Sequence, residues 1–296
     1  MSYHLPVLLE ETLRVLGLGP GAKLIDGTVG DGGHSEAILE RLRSRVEILG
    51  IDLDRAALET AKARLGKWGD KVRLLPGNFR DIEKIALRNR FQSVAGVLLD
   101  LGVRSAEIEE SGLGFSFRRD EPLIMRFDGQ SAPPNAATIV NSASREELIR
   151  IFREYGEEPF AERIAEAIVR FRRRRRILRT TELVRIIVEA LPRGARHGKT
   201  HCATRVFQAL RIATNDELRA LREAIAAAFR ILAPGGVLAI ISFHSLEDRI
   251  VKTAMRQMVK ESNAVPVTKK PIIPAIEEIR KNPRSRSAKL RAVKKM

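Results

Sequence analysis

The sequence predicts an α/β fold: a Rossmann-like parallel sheet with helices on both faces, interrupted by an inserted all-helical domain. Three observations predict it. Short β-rich runs alternate with amphipathic helical stretches through the first hundred residues. A glycine-rich turn follows the first run, where strand gives way to helix. More than 130 residues then separate the fourth run from the fifth, against about 30 for an ordinary strand-helix-strand step.

The first run, Leu24-Ile25-Asp26, turns through Gly27-Thr28-Val29-Gly30-Asp31-Gly32-Gly33-His34 into a helical pattern from Ser35 with Ala37, Ile38 and Leu42. Such a turn holds a nucleotide-like ligand at the carboxyl edge of a parallel sheet, where glycines let the backbone come close to it. A dinucleotide fingerprint wants glycine at relative positions one, three and six, but Gly30, Gly32 and Gly33 are followed by Ser35 at position six. Asp26 ahead of a Gly-x-Gly-Gly turn suits adenosyl-methionine better, because the amino-acid end of that cofactor needs polar groups rather than a pyrophosphate cradle. The alternative is a tight structural turn.

Val46–Ile51 is the second strand, ending in Asp52, which lies 20 residues past Gly32. An acid at that strand tip can accept hydrogen bonds from both ribose hydroxyls; otherwise it is a turn acid ahead of the next helix. Val72–Leu75 is the third strand, and Phe79 behind it offers an apolar face for an adenine ring or a core side chain. Ala95–Leu99 is the fourth, almost purely apolar as a strand covered on both faces should be, and it runs into Asp100-Leu101-Gly102-Val103. The fifth, Val237–Ile241, follows the stop signal Ala233-Pro234-Gly235-Gly236 and leads to Ser242-Phe243-His244-Ser245. Ala288–Val293 alternates like a strand that closes the sheet.

Residues 110–205 between the fourth and fifth strands read as helices: a capping box at Ser144-x-x-Glu147, and helical spacing over Phe160–Phe171 and Thr181–Leu191. The expected division is a discontinuous sheet domain, 1–109 with 206–296, and a compact helical insertion beside the ligand edge. The insertion carries five consecutive arginines, Arg172–Arg176, expected to cover every face of a helix and to meet phosphates, the alternative being an ordinary exposed junction between helices. Arg193, Arg196, His197, Lys199, His201 and Arg205 form a second basic cluster.

The formal net charge is +16 over 296 residues, and such an excess is accounted for by a polyanionic partner or by a solvated basic surface. Cys202 is the only cysteine, which excludes an intramolecular disulfide and any cysteine-based zinc cage. No His/Asp cluster has ligand spacing, so no metal is expected. There is no basic lead with a long apolar core and no run of membrane-spanning length, so a cytoplasmic protein without membrane contact is expected.

Taken together, 26–35 (Asp-Gly-Thr-Val-Gly-Asp-Gly-Gly-His-Ser), 114–117 (Gly-Phe-Ser-Phe), 203–212 (Ala-Thr-Arg-Val-Phe-Gln-Ala-Leu-Arg-Ile), 242–252 (Ser-Phe-His-Ser-Leu-Glu-Asp-Arg-Ile-Val-Lys) and 282–291 (Asn-Pro-Arg-Ser-Arg-Ser-Ala-Lys-Leu-Arg) closely resemble the MraW family, bacterial methyltransferases acting on N4 of a cytosine in 16S ribosomal RNA. The resemblance runs from His4-Leu5-Pro6-Val7-Leu8-Leu9-Glu10 almost to the carboxyl terminus. It implies a class I adenosyl-methionine-dependent methyltransferase sheet, with the insertion as the RNA-recognition domain. Position by position it implies cofactor contacts at Gly32, Gly33, His34, Asp52, Phe79 and Asp100. A further contact falls on Glu107, where the family has glutamine; Glu accepts hydrogen bonds but cannot donate them as an amide does. Arg104-Ser105-Ala106-Glu107 stands where Ser-Ser-Pro-Gln is usual, Ile124 and Phe127 vary another motif, and Cys202 replaces a proline.

The exocyclic amine of cytosine is a poor nucleophile, because its lone pair is delocalised into the ring. An acceptor for its N–H groups would favour a more tetrahedral nitrogen and help disperse the departing proton. Amino-methyltransferases on this fold commonly place that acceptor in an Asp/Asn-Pro-Pro-aromatic turn at the fourth strand tip. Here Asp100 stands at that tip without the prolines or the aromatic, and it is the candidate catalytic acceptor, shared between cofactor and amine. His244 at the fifth strand tip is the second candidate, with a structural histidine as the alternative. His34 is assigned to shaping the cofactor site rather than to proton transfer, and Phe243 and Phe115 are candidate stacking surfaces for an unstacked base or core side chains. The expected partner is 16S rRNA, naked or within the small ribosomal subunit, and a homodimer is left open. The rivals are a dehydrogenase, a non-enzymatic RNA-binding protein and a methyltransferase acting on another RNA.

Overall fold

The computed structural model describes residues 6–103, 111–130, 133–196, 198 and 200–296. In chain order the helices and strands are α1 (Leu9–Leu16), β1 (Ala22–Asp26), α2 (Gly33–Arg41), β2 (Val46–Asp52), α3 (Arg55–Leu65), β3 (Val72–Pro76), α4 (Ile82–Arg88) and β4 (Val94–Asp100). Helices α5 (Ala136–Ser142), α6 (Arg145–Gly156), α7 (Ala161–Arg172), α8 (Thr180–Ala190) and α9 (Thr204–Asn215) follow. The chain ends with α10 (Glu217–Ile231), β5 (Leu232–Ser242), α11 (Ser245–Lys260), β6 (Ala264–Pro266), α12 (Ile276–Lys281) and β7 (Lys289–Lys295).

The chain divides into two compact units, Met1–Gly102 with Leu218–Met296, and Val103–Glu217. The first is a seven-stranded sheet in the order β3-β2-β1-β4-β5-β7-β6. Strands β1 to β5 are parallel, and β7 runs antiparallel between β5 and β6. This is the class I methyltransferase sheet expected from the sequence, with the order reversing between β1 and β4, where open α/β sheets bind their ligands. Its strands are apolar because both faces are covered. Ile25, Leu49, Ile51, Val97, Leu99 and Ile240 pack with Ile82, Leu221, Ile225 and Val251 on one face. Leu24, Ile48, Leu98, Ala239 and Ile241 pack with Leu16, Ile38, Ala61 and Leu65 on the other. The alternation in β1, β2 and β4 is the period-two pattern of a pleated strand.

The second unit has its own core, with Phe152, Ile164, Ile168, Ile187 and Leu210 fully buried. It is longer than 110–205, because Val206, Phe207, Ala209 and Leu210 carry α9 into that helical core. The Gly-Phe-Ser-Phe motif is part of the packing: Phe115 stacks on Phe127 with ring centroids 5.3 Å apart, and Phe117 stacks on His201 at 4.7 Å. Gly114 has φ +78°, and a Cβ there would meet the Pro122 carbonyl oxygen at 2.3 Å. Gly114→Ala combines left-handed strain with a clash against backbone, and we expect it to lower the stability of this unit by about 2–4 kcal/mol in thermal unfolding.

Among the described residues, no helix is long and apolar enough to cross a membrane.

Candidate active site

Three acids stand at the carboxyl ends of adjacent strands, Asp52 on β2, Asp26 on β1 and Asp100 on β4. The glycine turn is stitched between them. Gly27 N–H donates to the Leu98 carbonyl at 2.9 Å, and Val29 N–H to the Ile51 carbonyl at 3.0 Å, so the turn is tied to β4 and to β2. Asp52 accepts Gly30 N–H at 2.8 Å on one oxygen and Asp54 N–H at 2.9 Å on the other. The acid therefore shapes the loop, while carboxylate oxygens accept more than one hydrogen bond each and can also serve a ligand. Asp26 is buried, and accepts the Ser35 hydroxyl at 2.8 Å and the Thr28 amide. The Thr28 hydroxyl in turn accepts Asp100 N–H at 2.6 Å, linking the first loop to the β4 tip.

Gly32 caps α2 with φ +82°, in the left-handed region that glycine tolerates best, and a Cβ there would lie 2.9 Å from the Leu65 side chain. Gly33 opens α2, and a Cβ on it would run into Pro6. The first turn of α2 presents its backbone amides at this edge, as helix amino termini do for anionic groups. His34 is buried in that turn. Its Nε2 lies 3.1 Å from the Val7 carbonyl, and its Nδ1 lies 3.7 Å from Asp100 Oδ2. Phe79 is half-buried beyond β3, packed against the core around Ile82. Glu107 and Arg104 lie outside the described residues, as do His197 and Lys199.

Beyond β5, His244 is the amino-terminal cap of α11. Its Nδ1 accepts Glu247 N–H at 3.4 Å, and its Nε2 lies 3.2 Å from Glu247 Oε1. Buried Glu247 accepts Phe243 N–H at 2.8 Å and His244 N–H at 3.3 Å. His244 thus has a structural task, which the spacing His244-Ser245-Leu246-Glu247 foreshadows, since it has the frame of a capping box. Phe243 is half-buried and lies against Gly102, where a Cβ would stand 2.9 Å from its ring.

The packing around these acids disfavours their charged forms. Burial lifts Asp26 to about 6 against the hydrogen bonds from Ser35 and Thr28, with a small push from Asp52. Burial also lifts Asp100 to about 7, with Asp26 and Glu247 adding like-charge repulsion and the Gly102 amide opposing it. Asp100 keeps 22% side-chain exposure, yet Oδ1 is buried with no hydrogen-bond partner among the described residues. Thr28, Ser35 and Glu247 are members of this network to which the sequence motifs gave no role. The signal for Glu247 was its place three residues after a strand-tip histidine.

In the second unit, only Arg172 of the arginine run is helical. Arg173–Arg176 form the turn and extended segment after α7. The run therefore does not cover the faces of a helix; it leaves the helix at the end where cations oppose the macrodipole. The segment is pinned at both sides. Arg172 donates to the Val140 carbonyl at 2.9 Å, and the Asn141 side chain brackets Ile177 with bonds of 2.7 and 2.9 Å. Arg175 pairs with Glu182, while Arg173, Arg174 and Arg176 are exposed with no carboxylate partner among the described residues. Arg193 and Arg205 are exposed too, and Arg196 donates to the Leu191 carbonyl at 3.1 Å.

The MraW methylase family matches residues 1–296 of the chain. The ribosomal RNA small subunit methyltransferase H of Symbiobacterium thermophilum is 46% identical over 309 residues, covering 99% of this chain and 97% of its own. The protein of the same description from Heliobacterium modesticaldum is 46% identical over 310 residues, covering 99% of each chain. That of Persephonella marina is 44% identical over 296 residues, covering 100% of each.

Proposed function

The chain belongs to the MraW methylase family, and from that premise we propose that it transfers a methyl group from adenosyl-methionine to N4 of a cytosine in 16S ribosomal RNA. The observation that carries the reading is end-to-end similarity, at 44–46% identity, to relatives described as small-subunit rRNA methyltransferases. The residues at the strand tips suit the cofactor. Asp52 offers carboxylate lone pairs for a ribose diol, the first turn of α2 offers amides to a carboxylate, and Asp100 Oδ1 is a buried acceptor with no donor among the described residues. Gly32, Gly33, His34 and Phe79 line the same edge by the family's pattern.

Bound there, adenosyl-methionine supplies an electrophilic methyl group on a cationic sulfur. What the protein adds is alignment and exclusion of water, because in-line displacement depends chiefly on the placement of nucleophile and donor. Asp100 is the catalytic acceptor in this reading, taking a hydrogen bond from the amine as its nitrogen becomes tetrahedral. His244 is the second candidate at the neighbouring strand tip, tied to α11 by the capping bond that its Nδ1 accepts.

The basic turn at Arg173, Arg174 and Arg176 is the proposed grip on RNA phosphates, because it is exposed yet anchored on both sides. Replacing the three arginines by glutamine is expected to weaken RNA binding at low salt. The slope of log K against log salt should fall by about 2–3, roughly 0.7–0.9 for each phosphate contact removed. Filter binding over a salt series measures this, and cofactor affinity should not change.

The deciding experiment is transfer of labelled methyl groups to unmethylated small ribosomal subunits and to naked 16S RNA, with the modified nucleoside identified by mass. Label in N4-methylcytosine supports the reading in full. Label in a different nucleoside or RNA keeps the enzyme class and moves the substrate. Cofactor binding without label in any RNA rejects the substrate, and RNA binding without cofactor binding leaves a non-enzymatic RNA-binding protein.

A further inference from the structure

Methylation of an amine by a sulfonium changes the charge of a buried site twice. The nitrogen–carbon bond forms as the sulfur–carbon bond breaks, the cationic sulfur becomes a neutral thioether, and the nitrogen gives up one proton. The site therefore loses a cation just when a proton must be placed.

We propose that Asp100 and His34 share one exchangeable proton whose presence is set by the charge of the ligand: a cationic cofactor expels it, and the pair takes up the amine's proton once that cation is gone. The inference rests on the methyltransferase reading above.

The geometry of His34 carries the argument. The Val7 carbonyl, 3.1 Å from Nε2, can only accept, so Nε2 bears the hydrogen. Nδ1 then carries a lone pair, and it lies 3.7 Å from Asp100 Oδ2. Two acceptors stand close together, an arrangement that a single proton resolves, on the carboxyl or on the ring. Among the described residues, the charged groups acting on Asp100 from its other neighbours are Asp26 on β1 and Glu247 on α11, both acidic. The Thr28 hydroxyl oxygen accepts the Asp100 amide. Nothing in that set neutralises a second negative charge, so the pair binds a proton readily near neutrality. Burial with these two acids places Asp100 at about 7. A positive charge at the same edge reverses the balance. His34 acts here through Asp100, as a positioning residue that supplies the other half of the proton site.

The test needs no turnover. Binding of adenosyl-methionine and of adenosyl-homocysteine is followed by calorimetry in buffers of different ionisation enthalpy, which counts the protons exchanged. The wild-type protein is expected to release about half a proton per adenosyl-methionine at pH 7, rising toward one at pH 6, because a group titrating near 7 is about half protonated there. It should release close to none with adenosyl-homocysteine. Asp100→Asn should erase the difference between the two ligands. Nitrogen chemical shifts of His34 in the wild-type protein give a second readout that does not depend on that variant folding. Nδ1 should show loss of its proton partner with the sulfonium ligand and retain it with the thioether. Equal proton counts for the two ligands, or a His34 resonance that does not distinguish them, overturn the proposal while leaving the cofactor assignment standing. Failure of both ligands to bind overturns the two together.

Discussion

Asp52→Ala is expected to weaken adenosyl-methionine binding by about 100-fold to 1,000-fold, and so to silence methyl transfer at ordinary cofactor concentrations. On the proposed assignment the acid does two things at once. It offers a charged acceptor to the ribose, where each such hydrogen bond contributes about 1.5–3 kcal/mol, and it holds Gly30 and Asp54 by their amides. Alanine removes the ligand contact and frees the glycine turn together, so loss of affinity is compounded by loss of preorganisation. Asp52→Asn keeps one carbonyl oxygen and should fall between alanine and wild type. Calorimetric titration of all three proteins measures the series. An alanine variant that binds as the wild type does would remove Asp52 from the site.

Asp100→Asn is expected to do the opposite to stability of what it does to activity. An acid whose pKa is higher in the folded chain than in the unfolded one makes the folded state the better proton binder between the two values. Asp100 rises from 3.8 to about 7 and Asp26 to about 6, so folding stability declines as pH climbs from about 4 to about 7. Below that window both carboxyls are protonated in either state and the penalty vanishes. Asparagine cannot ionise, and at pH 8 it should stabilise the protein by on the order of 2 kcal/mol, or about 5 °C in melting temperature. At pH 4 it should change little. Turnover should meanwhile fall by about 100-fold to 10,000-fold, the usual weight of a lost acid–base group. Melting curves at the two pH values decide the first part. A variant no more stable than wild type at pH 8 would mean that the carboxylate is solvated in the folded chain. A gain in stability at the cost of function is what a buried active-site charge predicts.

The sheet was readable because its physics is local. A strand covered on both faces must be apolar throughout, and Val46–Ile51 and Ala95–Leu99 announce themselves for that reason. The place of Asp52 at the tip of β2 was readable from its distance to Gly32, which a strand-helix-strand step makes nearly constant. The Val7 carbonyl that sets the His34 ring was not, because 27 residues separate the two and a main-chain acceptor leaves no trace in side-chain identity. The arginine run was misplaced onto a helix because five identical residues carry no periodicity. What ends α7 is tertiary, the grip of Asn141 on Ile177 from 36 residues away. The boundary of the helical unit moved for a related reason: α9 has an apolar face that suits either core, and only packing decides which core receives it.

The order of the strands in space has a consequence for synthesis on the ribosome. Strand β4 leaves the translating machinery with one edge paired to β1, while its partner on the other side, β5, is encoded about 130 residues later. A whole helical unit is made in the interval, and it can gather at once because it has a hydrophobic core of its own. The half-finished sheet has no such option. Until Leu232–Ser242 emerges, the nascent chain carries a naked, apolar strand edge of the kind that templates aggregation, and β7 cannot dock until later still. Premature termination within the insertion should therefore yield insoluble fragments rather than a smaller working protein.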